Sequence, residues 1–226
     1  MDVPPVLLVV AIAIVVLAFA AYQYWAAEQR RQALAAFAAA EGLAFDRSPP
    51  RTMLQGFAAF DPFTTGHSRR AANLVHGARG EIEWECFDYR YTTGSGKHQQ
   101  THIVGVAAAR VDLAFPRLEV RPEGIFDRLA AAIGFDDIDF ESAEFSRRYY
   151  VKSADRKFAY DLIHPQMMEY LLACPPRKWQ ATGPMIVLTR SAYYSPEDLG
   201  ATMRMIEGFL ERVPGFVRQD IGLRSA

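Results

Sequence analysis

The sequence predicts an α+β fold: an N-terminal transmembrane helix, then a soluble domain with a mostly antiparallel sheet of about seven strands and a long C-terminal helix. Three observations carry this expectation. Residues 6–21 contain no polar side chain. Strand-like runs crowd between residues 68 and 120, whereas helical patterns fall mostly later, the grouping of an α+β chain. The last pattern, from Ser195, is a capped amphipathic helix. The same element order also fits a pleckstrin-homology-like barrel, an alternative that fixes no function.

The first element is VLLVVAIAIVVLAFAAYQYW, residues 6–25. At ~1.5 Å per residue, twenty helical residues span ~30 Å, the thickness of a bilayer core. Val6, Leu7, Leu8, Val9, Val10, Ile12, Ile14, Val15, Val16, Leu17 and Phe19 supply the lipid-facing bulk. Tyr22, Tyr24 and Trp25 sit at one end, where amphipathic rings favour the headgroup level. A secretory signal is the rival reading, with Ala18-Phe19-Ala20 as its cleavage site. But MDVPP carries an acid and no base, whereas a signal starts basic. Arg30 and Arg31 follow the span, with Arg47 and Arg51 beyond, and no basic residue precedes it. Positive-inside then predicts a cytoplasmic domain and an outside N-terminus at the plasma membrane. A third reading places the domain outside the cell. Cys86 and Cys174 match no metal spacing and no disulfide framework, which suits a reducing compartment.

Residues 26–45 are expected to prolong the helix out of the membrane. Ala and Leu favour it, Gly42 is its stop, and Leu34, Phe37 and Leu43 form a thin apolar stripe for the domain or the bilayer surface. DRSPPRT, residues 46–52, reads as a linker broken by Pro49-Pro50. The expected organisation is an anchor over 1–25, a juxtamembrane helix and Pro-rich linker over 26–52, and a soluble domain over 53–226.

Two extended runs flank Gly77-Ala78-Arg79-Gly80, a hairpin turn. In the second run Ile82, Trp84 and Cys86 share one face, while Phe87, Tyr89 and Tyr91 share the other. Such a switch implies a bulge, or a strand buried on both sides in turn. Residues 100–111 and 117–120 read as further strands, and 123–134 as a short helix with Phe126, Leu129, Ala130 and Ile133 inward. Residues 146–153 read as a strand, 155–163 and 165–174 as helices, and 179–190 as a hairpin turning at Gly183-Pro184. Then Ser195 caps a helix, Pro196 opens it and Asp198 completes a capping box. Leu199, Met203, Ile206, Leu210 and Val213 recur at helical spacing until Pro214-Gly215 stops the run.

Chemistry is scarcer. The chain has 226 residues, a net charge of −1 and only four lysines, so no basic footprint points to nucleic acid. YTTGSGKHQQTH, residues 91–102, suggests a phosphate loop, but Tyr91 stands where the first glycine belongs and His98 where the hydroxyl belongs. A strand follows instead of a helix, so Gly94-Ser95-Gly96 serves a turn. His98 and His102 lie ~13 Å apart on a strand, too far for one metal. Asp137, Asp139 and Glu141 alternate as in a calcium loop, but Ser142 replaces the required glycine. Ile138, Phe140 and Phe145 instead pin a polar loop to the core. No cofactor or metal is implied.

The stretches EGLAF, DPFTTGHSRRAANLVHGARG, FDYRYTTGSGK, FPRLEVRPEG, DIDFESAEFSRRYYV and HPQMMEYLL, spread over residues 41–172, carry a resemblance. The chain resembles an uncharacterised group of bacterial single-pass membrane-anchored proteins. That group has no assigned activity, so the resemblance implies an anchor and one soluble domain, and no catalytic residue.

The expected function is a binding or scaffold module tethered to a lipid bilayer, with an unidentified protein partner and an oligomeric state the sequence leaves open. The alternative is an enzyme with a site scattered over Asp88, Arg90, His102 and Glu144. Asp88 and Arg90 would form a surface pair, and the acids near Glu144 would clamp Arg147 or Arg148.

Overall fold

A computed structural model describes residues 5–122, 138 and 140–222. Helix α1 runs unbroken from Pro5 to Ala40, through the point where the apolar span gives way to charge. Its end is fixed by Gly42 at φ +70°, with Gly42 N–H donating to Ala39 O and Leu43 N–H to Ala38 O. A left-handed residue costs glycine little, so the chain reverses there and Leu43 folds back against Ala38. Residues 41–45 therefore leave the helix, and Ala44–Asp46 form a short strand β1 that the sequence pattern does not suggest.

A 3-10 segment of about two turns, Arg51–Phe57, leads into the main sheet. Its strands are β2 (His67–Arg79), β3 (Ile82–Thr93), β4 (Gln100–Pro122), β5 (Tyr149–Ser153) and β6 (Lys178–Arg190). With β1 they make one six-stranded sheet, every pairing antiparallel, in the order β1-β2-β3-β4-β5 with β6 also on β4. Helices α2 (Ala143–Arg148), α3 (Arg156–Leu162), α4 (Pro165–Ala173), α5 (Pro196–Glu211) and α6 (Gly215–Ile221) complete the α+β architecture.

The expected count of seven strands becomes six for a physical reason. The runs at 100–111 and 117–120 are one strand, because β4 passes Pro116 within an irregular stretch between Arg110 and Leu118. The missing N–H of Pro116 falls where the ladder is already interrupted. Gly183, at φ +53°, lies opposite Phe115 in the same irregularity, so 179–190 is one bent strand and not a hairpin. The strand expected from residue 146 begins at Tyr149, because Ser142 Oγ accepts Phe145 N–H and holds 143–148 helical. The helix expected over 123–134 lies outside the described residues.

Strand β3 is the hub. Its register against β4 is unbroken from Glu83↔Arg110 to Thr93↔Gln100. The apolar switch is therefore a strand buried on both faces, not a bulge of its own. Trp84 and Cys86 enter the larger core, with Leu34, Ala38 and Leu43 from the α1 side and Leu199, Met203 and Ile206 from α5. Phe87 and Tyr89 enter a second, aromatic core with Phe57, Phe60 and Phe63. The bulges belong to β2, at Ser68 and Asn73, both with positive φ.

Helix α5 forms as its sequence signals. Ser195 Oγ accepts Asp198 N–H at 3.0 Å, and the stripe from Leu199 to Leu210 is buried. Asp198 directs its carboxylate to Arg190 at 2.8 Å, which holds its carboxyl below the usual range.

Candidate functional site

Within the described residues, a dense polar cluster joins α1 to the sheet. Arg30 lies five residues past Trp25, on the turn of α1 that first meets the domain. Its guanidinium grips Asp88 in a two-point fork, Nη1 to Oδ2 at 2.6 Å and Nη2 to Oδ1 at 2.7 Å. Nε and Nη2 also donate to the Tyr194 carbonyl, at 3.2 and 2.7 Å. Asn73 Nδ2 donates to Asp88 Oδ2 at 2.7 Å. Asp88 is only 7% exposed and Arg30 26%. A buried carboxylate is tolerable only when its lone pairs are filled, and here three donor N–H groups fill them.

Local sequence explains each component. Asp88 points toward α1 because it shares strand parity with Trp84 and Cys86. Asn73 reaches it because the β2 bulge, at φ +52°, turns its side chain there, while its N–H bonds Arg47 O at 3.1 Å. Tyr194 O reaches Arg30 because Gly105, directly across from Asp88, has no side chain. A Cβ there would sit 2.5 Å from Ala192 O and 2.8 Å from the Tyr194 ring. The glycine lets the segment after β6 cross the sheet in contact with it.

Two further ties flank this latch. Glu28 on α1 takes Arg31 at 2.7 Å and Arg47 at 3.5 Å. At the other end of the docked helix, Arg79 lies over Trp84 and forks between Glu41 and Glu207. Burial alone would lower the Arg79 pKa, but these two carboxylates outweigh it and raise it. Leu34, 2% exposed, and Ala38, 1% exposed, pack between the ties. Residues 26–40 thus lie on the domain. Residues 9–22 are exposed along their length. A helix this long and apolar is a candidate membrane span, with 0% of its apolar window covered by protein.

The other anticipated site residues are dispersed. Arg90 shares Asp88's face but is exposed and sits across from Arg70, so it does not pair with Asp88. His102 lies on the opposite face, stacked on Tyr91 at 4.7 Å with Nε2 2.8 Å from Thr93 Oγ1. Glu144 and Arg147 are exposed on α2. Arg148 donates to the Leu172 carbonyl at 2.9 Å and covers the Tyr149 ring, in place of an acid clamp. Asp137 and Asp139 lie outside the described residues, while Ile138, Phe140 and Phe145 are buried as loop anchors.

One cleft of about 330 Å³ collects Asp155, Asp161 and Asp220 around Lys157. Asp155 is occupied as the cap of α3, accepting Phe158 N–H at 3.0 Å, and Asp161 holds Lys157 at 2.6 Å. Burial pushes the Cys86 thiol up to about 12, so it stays protonated and unreactive near neutral pH. Among the described residues no group of three or more His, Cys, Asp or Glu could hold a metal ion.

No family model and no curated protein matches the chain. A solved structure does: the mycobacterial trehalose monomycolate transport factor A, TtfA, with a TM-score of 0.57 and 10% sequence identity. The match covers 81% of this chain and 96% of that one, and at this identity it shows a shared fold. Sequence reasoning placed Asp88 among its candidates but missed Arg30 as its partner. The missing signal was spatial, because 58 residues separate the two.

Proposed function

We propose that this chain is a membrane-tethered binding or scaffold module whose domain is held at a fixed height and orientation against the bilayer. The observation that carries the reading is the bidentate Arg30–Asp88 pair on an uninterrupted helix. A flexible tether needs no such tie, whereas a module that presents a surface to a membrane partner does. The fold likeness to a transport factor fits an accessory role in a membrane process. The resemblance to bacterial single-pass anchored proteins supports the same reading. Arg30 and Arg31 after the span favour a cytoplasmic domain by the positive-inside bias. The dispersal of Asp88, Arg90, His102 and Glu144 over three elements, β3, β4 and α2, supports a non-enzymatic role.

The test is affinity capture of full-length protein from detergent-solubilised membranes, beside Asp88→Ala and Arg30→Ala variants. The expected result is a defined membrane protein that co-purifies with the wild type and is depleted with either variant. Equal recovery from wild type and variants would sink the rigid-presentation reading. Turnover of a small-molecule substrate by the purified full-length protein, lost on altering His102 or Glu144, would replace it with the enzyme.

A further inference from the structure

The ties along α1 fix which end of the sheet faces the membrane. Arg30 meets Asp88, and eleven residues further on Glu41 meets Arg79, which lies over Trp84. On the helix that interval is ~16 Å at ~1.5 Å per residue. On β3, Asp88 to Trp84 is ~13 Å at ~3.3 Å per residue. The near match means that α1 and β3 run almost alongside each other in opposite directions. Strand β3 therefore climbs toward the apolar span as it leaves Asp88. Arg90, two residues on, rises ~7 Å, the same climb as from Arg30 to Trp25. Thr93 rises ~16 Å, beyond the level of Tyr22.

The end that climbs is basic. Arg69, Arg70, Arg90 and Lys97 lie there with His67 and His98, all exposed. Arg70 and Arg90 are cross-strand neighbours, a like-charge pair that an isolated sheet disfavours. Among the described residues neither they nor Lys97 has an ion-pair partner. No Asp or Glu occurs in residues 62–80 or 89–111. Acids are plentiful elsewhere, so the exclusion is local.

We propose that the Arg70–Arg90 pair and the β3–β4 hairpin tip around Lys97 form a second membrane contact, docking on anionic lipid headgroups beside the point where α1 enters the bilayer. The proposal rests on α1 being the anchor. Headgroup phosphates would neutralise the facing arginines, and a basic residue near an anionic leaflet strengthens attachment by about fivefold. With α1 the domain would then be held at two places, which resists rocking about the helix.

The test uses full-length protein in lipid nanodiscs, with Ser95→Cys carrying a fluorophore, Cys174→Ser to limit background, and nitroxide-headgroup lipids as quencher. Co-elution of protein with nanodiscs checks the anchor separately, so failure to incorporate would count against α1 and not against the tip. In incorporated protein the expected result is strong quenching with phosphatidylglycerol present and several-fold weaker quenching with phosphatidylcholine alone. Salt raised from ~0.1 to ~1 M, which shortens the screening length from ~10 to ~3 Å, should also weaken it. Arg70→Gln/Arg90→Gln and Lys97→Gln should each reduce the anionic-lipid quenching without lowering the unfolding temperature, because all three side chains are exposed and the double variant only relieves a like-charge contact. Quenching that is absent, or equal in both lipids and in the variants, overturns the proposal.

Discussion

The two halves of α1 obey the same backbone geometry, but one is an exposed apolar rod and the other is docked on the domain. From residue 9 to residue 22 every side chain is exposed in the isolated chain. From residue 26 to residue 40 the helix buries Leu34 and Ala38 and commits Arg30 to a carboxylate inside the domain. As a candidate membrane span the first half depends on composition, since any apolar sequence of that length suits a bilayer. The second half depends on position, since only particular residues on one face meet Asp88, Asn73 and Trp84. One half tolerates shuffling and the other does not.

The largest break in that comparison is removal of the first half. A chain starting at Gln23 should leave the membrane fraction completely, because ~20 apolar residues are what partition it. Its domain should still unfold cooperatively, with a melting temperature within a few degrees of the full chain in detergent. Sedimentation and circular dichroism read the two outcomes. A truncated domain that no longer folds would mean the halves are one unit.

Identical substitutions then separate the halves. Leu34→Ala removes a side chain that is 2% exposed in the main core and should cost ~2–4 kcal/mol. Leu17→Ala, on a side chain 69% exposed in the apolar half, should change domain stability by no more than ~0.5 kcal/mol. Denaturant midpoints in one detergent give both numbers. Equal costs would erase the distinction.

The latch is next. Arg30→Ala leaves Asp88 buried with Asn73 alone among its side-chain donors, and Asp88→Ala leaves a guanidinium three-quarters buried. With Arg30 26% exposed, water relieves part of the loss, so each should cost ~2–3 kcal/mol and not the full penalty of a buried pair. The double variant should cost less than the sum by ~1–2 kcal/mol, the coupling of two groups in contact. Additive costs would mean that the fork contributes no specific attraction.

How legible this was in the sequence follows the same division. The apolar half of α1, the capped α5 and the glycine stop at Gly42 were all readable, because each is a local pattern with a local cause. The parity switch at Cys86-Phe87 left a bulge or double burial of β3 open, and only the unbroken β3–β4 register selects double burial. The strand count was not readable. Pro116 and Gly183 look like two separate breaks, yet Gly183 pairs with Phe115, next to Pro116, in one irregular stretch of the β4–β6 ladder. β1 is three residues long, too short to carry a period. The latch was half legible: Asp88 was a candidate, but as a surface partner of Arg90, whereas it is 7% exposed and held by Arg30. Arg30 was hidden because its charge had already been used to explain orientation. Asn73 was invisible, since only the bulge aims its side chain.

The smallest prediction is the control for the latch. Arg190–Asp198 has a length of 2.8 Å, similar to Arg30–Asp88, but its acid is 45% exposed where Asp88 is 7%. Exposed pairs contribute ~0–1 kcal/mol, so Asp198→Asn should cost no more than that at neutral pH. The hydrogen bond from Arg190 depresses the Asp198 carboxyl below its ordinary value of 3.8. The folded state then binds that proton less readily than the unfolded chain does. The pair's contribution is complete above pH ~4 and fades as pH falls through the depressed value. Asp198→Asn should therefore flatten the stability profile slightly in that acid range and leave it unchanged in shape above pH 5. If Asp198→Asn matches Asp88→Ala in cost, exposure is not what distinguishes the two pairs, and the latch is an ordinary surface contact.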